Sequence, residues 1–212
     1  MEADTTVIYY TSNQEDEAFE QKIREKLLEV IGDLPLISVS QKPINLGKNI
    51  CVGEVGVSNQ NAHRQLQVGC EAATTKYIHI AEADCLYSKE YFEYRPPVDN
   101  RAFRTPIYVH YLKGDRFHKK RASECATVVG REYLIYRIKR SLRNRPMWEP
   151  TLEHGASVPF TFRHEDWEQF DLSVPPISLK TGKGMHQTHG YVGTETELPY
   201  WGKASDITKL FT

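Results

Sequence analysis

Glu82 and Asp84, one residue apart, are the pair in this chain whose type and spacing most suit chemistry. They follow Tyr77-Ile78-His79-Ile80-Ala81, an apolar run of the kind that forms a buried strand. Residues two apart on an extended chain point to the same side, so both carboxylates leave the strand end together. Ligands of open α/β sheets bind outside the carboxyl ends of the strands, and two hard oxygen donors there suit a divalent cation holding a phosphorylated ligand. A solvated strand-to-turn exit is the plain alternative. A second group lies in the glycine-rich stretch 178–190. Lys180 and Lys183 there can offset leaving-group charge, and His186 and His189 are borderline metal ligands. A simple glycine-rich loop accounts for that stretch as well.

Such groups need a sheet to hold them. Residues 5–11 read as a buried first strand, and Ser12-Asn13-Gln14-Glu15 has the form of a capping box, so a helix is expected next. Phe19, Ile23, Leu27, Val30 and Ile31 recur at helical spacing until Gly32-Asp33 ends the pattern. Residues 34–40 form a second strand, giving β-α-β and a parallel pair. Gln41-Lys42-Pro43 and residues 45–49 make a loop whose backbone and Lys side chains can approach a nucleotide, or a polar surface loop. Ser58 to Asn61 supplies caps for a helix over 61–73 that leads into the central strand.

Arg64-Gln65 on that helix, its Ala-rich end, the strand Lys76-Tyr77-Ile78-His79-Ile80 and the acid-x-acid together resemble the nucleotide-sugar half of a GT-A glycosyltransferase. The resemblance covers residues 6–92 and thins beyond them. It implies an α/β fold, with a Rossmann-like, mostly parallel mixed sheet flanked by helices. It further implies that Thr11, Ser12 and Asn13 contact the nucleobase and Gln41 and Arg64 the donor. Asp84, with Glu82 in place of the family's first Asp, would bind Mn2+ or Mg2+ bridging the diphosphate of a UDP-sugar. A C-terminal His completes the metal site in such enzymes, a place that His186 or His189 matches. Inverting members carry an acid near the acceptor, and Asp166, then Glu165, of Arg163-His164-Glu165-Asp166-Trp167 would deprotonate the acceptor hydroxyl. An acid-rich first helical turn explains that phrase equally well.

Residues 1–94 are thus expected to bind the nucleotide-sugar, and 95–212 to form an acceptor half with an appended basic lobe, within one continuous domain. The net charge of −1 hides an asymmetry. Between residues 95 and 145, fourteen Lys and Arg face four acids, whereas the remainder holds thirteen against twenty-four. A block so basic suits a polyanion, because neutralised phosphates release counterions. Residues 105–112 alternate as a strand, Gly114-Asp115 turns it, and residues 125–129 form another strand. A helix over 131–145 places Leu134, Ile135, Ile138 and Leu142 inward and Arg137, Lys139, Arg140 and Arg143 outward. Joined to Arg116, Lys119, Lys120 and Arg121, these cations would line a groove for a phosphate backbone.

DNA is therefore the expected acceptor, and phage-type enzymes that glycosylate hydroxymethylated pyrimidines are the resemblance it suggests. Tyr108, Tyr111, Phe117 or Trp167 would serve as wedge or stacking residues against a flipped base. A glycan or surface-polymer glycosyltransferase, a sugar nucleotidyltransferase and a non-catalytic nucleic-acid-binding protein remain alternatives. A nucleotidyltransferase would show a Gly-rich loop where Thr11-Ser12-Asn13 stands.

Four dispersed cysteines without a CxxC pair argue against a disulfide framework or zinc knuckle. Met1-Glu2-Ala3-Asp4 lacks a basic, apolar leader, and no stretch approaches the roughly 18 apolar residues of a membrane span. A cytoplasmic protein is expected, in the host cytoplasm if phage-encoded.

Overall fold

The computed structural model describes residues 4–149, 162, 164–182 and 190–212. The strands are β1 (Thr5–Thr11), β2 (Leu36–Ser40), β3 (Lys48–Cys51), β4 (Tyr77–Glu82), β5 (Cys85–Leu86), β6 (Ala102–Arg104), β7 (Ile107–Tyr111), β8 (Phe117–Lys120), β9 (Thr127–Gly130), β10 (Trp167–Gln169), β11 (Ile177–Lys180), β12 (Tyr191–Glu195) and a short hairpin of β13 (Glu197–Leu198) and β14 (Gly202–Lys203). The α-helices are α1 (Glu17–Ile31), α2 (Asn59–Ala72), α3 (Lys89–Glu93), α4 (Arg131–Ser141) and α5 (Ala204–Phe211). A seven-stranded sheet runs β10-β6-β9-β4-β1-β2-β3, with β1 parallel to β2 and β4, and β9 antiparallel to β4 and β6. A five-stranded sheet runs β12-β8-β7-β11-β5. This is the mixed, largely parallel, helix-flanked α/β architecture expected from the sequence.

Alternation along β1 sends Val7 and Tyr9 into one core and Ile8 into the other. The first core holds α1, α3, α5 and the five-stranded sheet, and the second holds α2 and α4. The second core leaves no room at Gly69 of α2, where an added Cβ would lie 2.6 Å from Cγ2 of Ile8 and 3.2 Å from Cγ2 of Val39. Both neighbours are β-branched and cannot swing aside. Gly69→Ala is expected to lower unfolding stability by about 1–3 kcal/mol, measured in urea.

Several local expectations are corrected. The cap of α1 is Asp16, whose carboxylate accepts from the backbone N–H groups of Ala18 and Phe19. Ser12 does not cap it, because Asn13 turns through φ 52° and spends its Oδ1 on the N–H groups of Gln41 and Lys42. The loop after β2 contains a further parallel strand, β3. It is an edge strand with Ile50 as its one large apolar residue, so it lacks the alternation that marks a strand in sequence. The predicted strand 125–129 begins as a 3-10 turn over Glu124–Ala126.

The two halves of the chain interleave: β6 and β9 join the sheet begun by β1, and β5 joins the sheet of β7 and β11. Among the described residues no helix is long and apolar enough to cross a membrane.

Candidate active site

The parallel strands β1, β2 and β4 end on the same side of the sheet, and a cavity of about 200 Å³ opens there. Thr11 ends β1 and Ser12 follows it, Gln41 follows β2, and Glu82 ends β4 with Ala83 and Asp84 after it; all line the cavity, together with Lys180 from β11. Gly56, Val57 and Ser58 bring the amino end of α2 to the same cavity, with Ser58 as cap. Five of the residues singled out in the sequence, Thr11, Ser12, Gln41, Asp84 and Lys180, thus meet Glu82 at one place. A second cavity, of about 170 Å³, lies on the other side of Glu82. Tyr10, Ala62 and Glu82 wall both cavities.

Burial, then the charge of Asp84, pushes the Glu82 carboxyl up to about 7. The Tyr10 hydroxyl donates to Glu82 Oε1. The Glu82 N–H donates to the Tyr87 hydroxyl at 2.9 Å, which donates to the carbonyl of Cys125 at 2.8 Å. Tyr91 reaches the carbonyl of Ile80 at 2.9 Å. Two buried tyrosines thereby fix the end of β4.

Asp84 is buried and ion-paired. Its Oδ2 accepts from Lys180 Nζ at 2.6 Å and from Ser178 Oγ at 3.5 Å, while Oδ1 accepts from the Cys85 thiol at 3.2 Å. Burial acts against the Lys180 ammonium, but the charge of Asp84, that of Cys85, the hydrogen bond to Asp84 and the charge of Glu82 together hold it well above the ordinary Lys range. Glu20 also lines the larger cavity; burial pushes its carboxyl up to about 7, although the Thr11 hydroxyl donates to it at 2.9 Å.

The donor set does not fit a resident divalent cation at Glu82 and Asp84. A metal there would compete with an ammonium already placed on Asp84. Among the described residues, the one set of three side chains whose ligand atoms lie within 4.8 Å of one another is Glu82, Cys85 and Cys125, without Asp84. Burial pushes the Cys85 thiol well up, away from the thiolate that metals bind. His186, His189 and Lys183 lie outside the described residues.

The other predicted site residues are placed elsewhere. Arg64 lines neither cavity; its guanidinium donates to the carbonyls of Leu142, Arg145 and Pro146 and to Gln67, clasping the end of α4. Its neighbour Gln65 is the one facing the cavity, donating to the carbonyls of Thr11 and Val39. Arg64→Met is expected to cost about 1–3 kcal/mol of stability while nucleotide affinity stays within about twofold, by urea unfolding and calorimetry. Asn13 ties β1 to the turn after β2, and Gln41 exchanges two hydrogen bonds with the backbone of Gly56.

Asp166 and Glu165 sit on a 3-10 turn before β10, the edge strand three places from β4, and line neither cavity. Asp166 is ion-paired with Arg137 at 2.5 Å, and the Arg137 guanidinium lies over the Tyr133 and Phe162 rings.

The basic residues do not join into one groove. Arg116, Lys119, Lys120 and Arg121 belong to the β8 region of the five-stranded sheet, which shares the core of α1. Lys139, Arg140 and Arg143 belong to the α4 side, which packs on the opposite face of the seven-stranded sheet. Lys139 pairs with Glu71. Among the suggested stacking residues, Phe117 is fully buried, Tyr108 is 8% exposed, Tyr111 bonds the Tyr191 hydroxyl, and Trp167 lies under the Arg104 guanidinium. A buried ring cannot wedge into a duplex.

The smaller cavity contains a constellation that the sequence did not announce. His63 Nδ1 bonds the Asn59 carbonyl at 2.7 Å, and Nε2 is 3.5 Å from Glu124. Burial opposes charge on both, but His63 and then Arg104 bring the Glu124 carboxyl down to about 2, and Glu124 raises His63 in return. Arg104 donates to Glu124 at 3.2 Å, and its buried Nε has no partner among the described residues. These residues come from α2, β6 and the turn before β9, with no shared motif to link them in sequence.

No family model and no curated protein matches the chain. Among solved structures, it is similar to the crystal structure of a glycosyltransferase involved in the glycosylation of the major capsid of PBCV-1. The identity is 15% and the TM-score 0.39, over 67% of this chain and 68% of that one.

Proposed function

We propose that this protein transfers a sugar from a nucleotide-sugar, a UDP-sugar by the habit of GT-A enzymes, to an acceptor hydroxyl. The observation that carries the reading is the pair of cavities sharing one wall at Glu82. A group-transfer enzyme needs two substrates to meet at one point while each keeps its own binding surface. The larger cavity, at the carboxyl ends of parallel strands and the amino end of α2, suits the nucleotide diphosphate. The smaller one suits the acceptor. Residues 1–94 would then supply the donor cavity except for Lys180, and the acceptor cavity would draw on both halves of the chain.

In this arrangement Glu82 takes the proton from the acceptor hydroxyl as it attacks the anomeric carbon. It does so in preference to Asp166 and Glu165, which lie off both cavities. Lys180 offsets the charge that develops on the departing diphosphate. Mn2+ or Mg2+, implied by the resemblance, would supply Lewis-acid chemistry; the donor set at Asp84 does not favour it, and the chain's own residues account for each role.

The acceptor that the charge asymmetry favours is a hydroxymethylated pyrimidine in DNA, contacted from the α4 side, the face of the smaller cavity, by Arg140 and Arg143. A glycan or surface-polymer acceptor is the second reading, favoured by the division of the cations between opposite faces. Failure to retard duplex DNA at low salt selects the glycan.

Calorimetric titration of UDP and UDP-glucose tests the donor site, with dissociation constants expected between about 1 μM and 1 mM. Absence of binding by uridine, guanosine and thymidine nucleotide-sugars alike would end the glycosyltransferase reading.

A further inference from the structure

We propose that the cation of the strand-end site is the Lys180 ammonium and that nucleotide binding there needs no divalent metal. The inference rests on the nucleotide-sugar reading of the larger cavity and specifies how that cavity meets a diphosphate. Three features carry it.

Both Asp84 side-chain oxygens already accept from donors: Oδ2 from Lys180 and Ser178, and Oδ1 from the Cys85 thiol. A divalent ion on Oδ2 would have to displace the Lys180 ammonium or sit beside its charge.

The Lys180 side chain is 9% exposed and that of Asp84 11%. Drawing Asp84 to a metal would leave a buried ammonium unpaired, which is the expensive way to break such a pair.

The placement of Lys180 is also built into the fold. The Leu179 N–H donates to the Asp84 carbonyl at 2.6 Å, and β11 pairs with β5 directly after Asp84, through Ile177 with Leu86 and Ser178 with Cys85. Backbone pairing therefore delivers the ammonium to the acid-x-acid turn rather than side-chain chance. On the cavity wall Lys180 meets the amino end of α2, a fourteen-residue helix whose first turn is a second source of positive potential. An ammonium and a helix terminus offer phosphates donors of the chain's own making, against the carboxylates of Glu15, Glu20 and Glu82 on the same wall.

The test uses the whole chain in two arms. Mn2+ alone is titrated against wild type, Lys180→Met and Lys180→Arg, with the free Mn2+ signal followed by electron paramagnetic resonance. Wild type and Lys180→Arg are expected to leave the signal intact. Lys180→Met, if folded by circular dichroism, is expected to take up one ion through the uncovered carboxylates. Uptake of one Mn2+ by wild type that is lost in Asp84→Asn would overturn the proposal.

In the second arm UDP is titrated in EDTA and in Mn2+, with affinities expected to agree within about twofold. A gain of about tenfold or more with Mn2+ would overturn it too. If UDP binds in neither condition, the nucleotide-sugar reading falls, while the Mn2+ arm still decides what occupies Asp84.

Discussion

Asp84→Ala is expected to destabilise the fold by about 3–5 kcal/mol, because it strands a buried ammonium without its counter-charge. With a melting shift of about 2–4 °C per kcal/mol in a chain of this size, the midpoint should drop by roughly 10 °C. Removing a solvated turn acid would cost about 0.5 kcal/mol or less, so the measurement separates a structural pair from an exposed exit. Adding Lys180→Met to Asp84→Ala should restore much of the loss, since the two side chains are in contact and their effects are not additive. A double variant as unstable as the sum of the singles would show that Asp84 works through some other neighbour.

Glu82→Gln should abolish transfer while sparing the donor. Removing a general base costs about 10²–10⁴ in rate, and nucleotide affinity should stay within about threefold, because Gln keeps the shape and still accepts from Tyr10. The pH dependence has a definite sign. The wild-type carboxyl, pushed up to about 7 by burial and by Asp84, must lose its proton to act as base, so the rate should fall as pH drops through about 7. Stability runs the other way. A carboxyl whose folded value is raised holds its proton more tightly than the unfolded chain does, so it costs stability progressively from the ordinary carboxylate range up to about 7. The neutral Gln variant escapes that cost. It should therefore melt above wild type at pH 8, and with a smaller difference at pH 5. An inactive variant of unchanged or lower stability at pH 8 would argue that Glu82 is not a buried, strained carboxyl. A variant that loses nucleotide binding instead would place Glu82 in the donor site rather than at the acceptor.

The sequence by itself determined the central elements, though not β3 or β11, and the end of the sheet at which chemistry is possible. Alternation and apolar runs mark β1, β2 and β4, the 3.6-residue period marks α1 and α4, and Ser58 caps α2 as expected. These signals lie within one element and need no knowledge of its neighbours. The paired carboxylates at the end of β4 follow from the same local logic. What Glu82 and Asp84 do there was not legible, because it depends on partners distant in the chain. Lys180 stands 96 residues from Asp84 and reaches it only because β11 is laid against β5. Arg104 and Glu124 meet His63 through the antiparallel pairing of β6 and β9 beside α2. The same reasoning explains Asp166: an acid beside Trp167 has the right type for a base, but strand order puts it at the sheet edge against Arg137. It explains the divided cations as well, since helix periodicity says which side of α4 is charged and not which face of the sheet α4 covers. Residue type and spacing fix what a side chain is able to do; burial and the charge brought beside it by the tertiary fold decide whether a carboxylate is a base, a metal ligand or half of an ion pair.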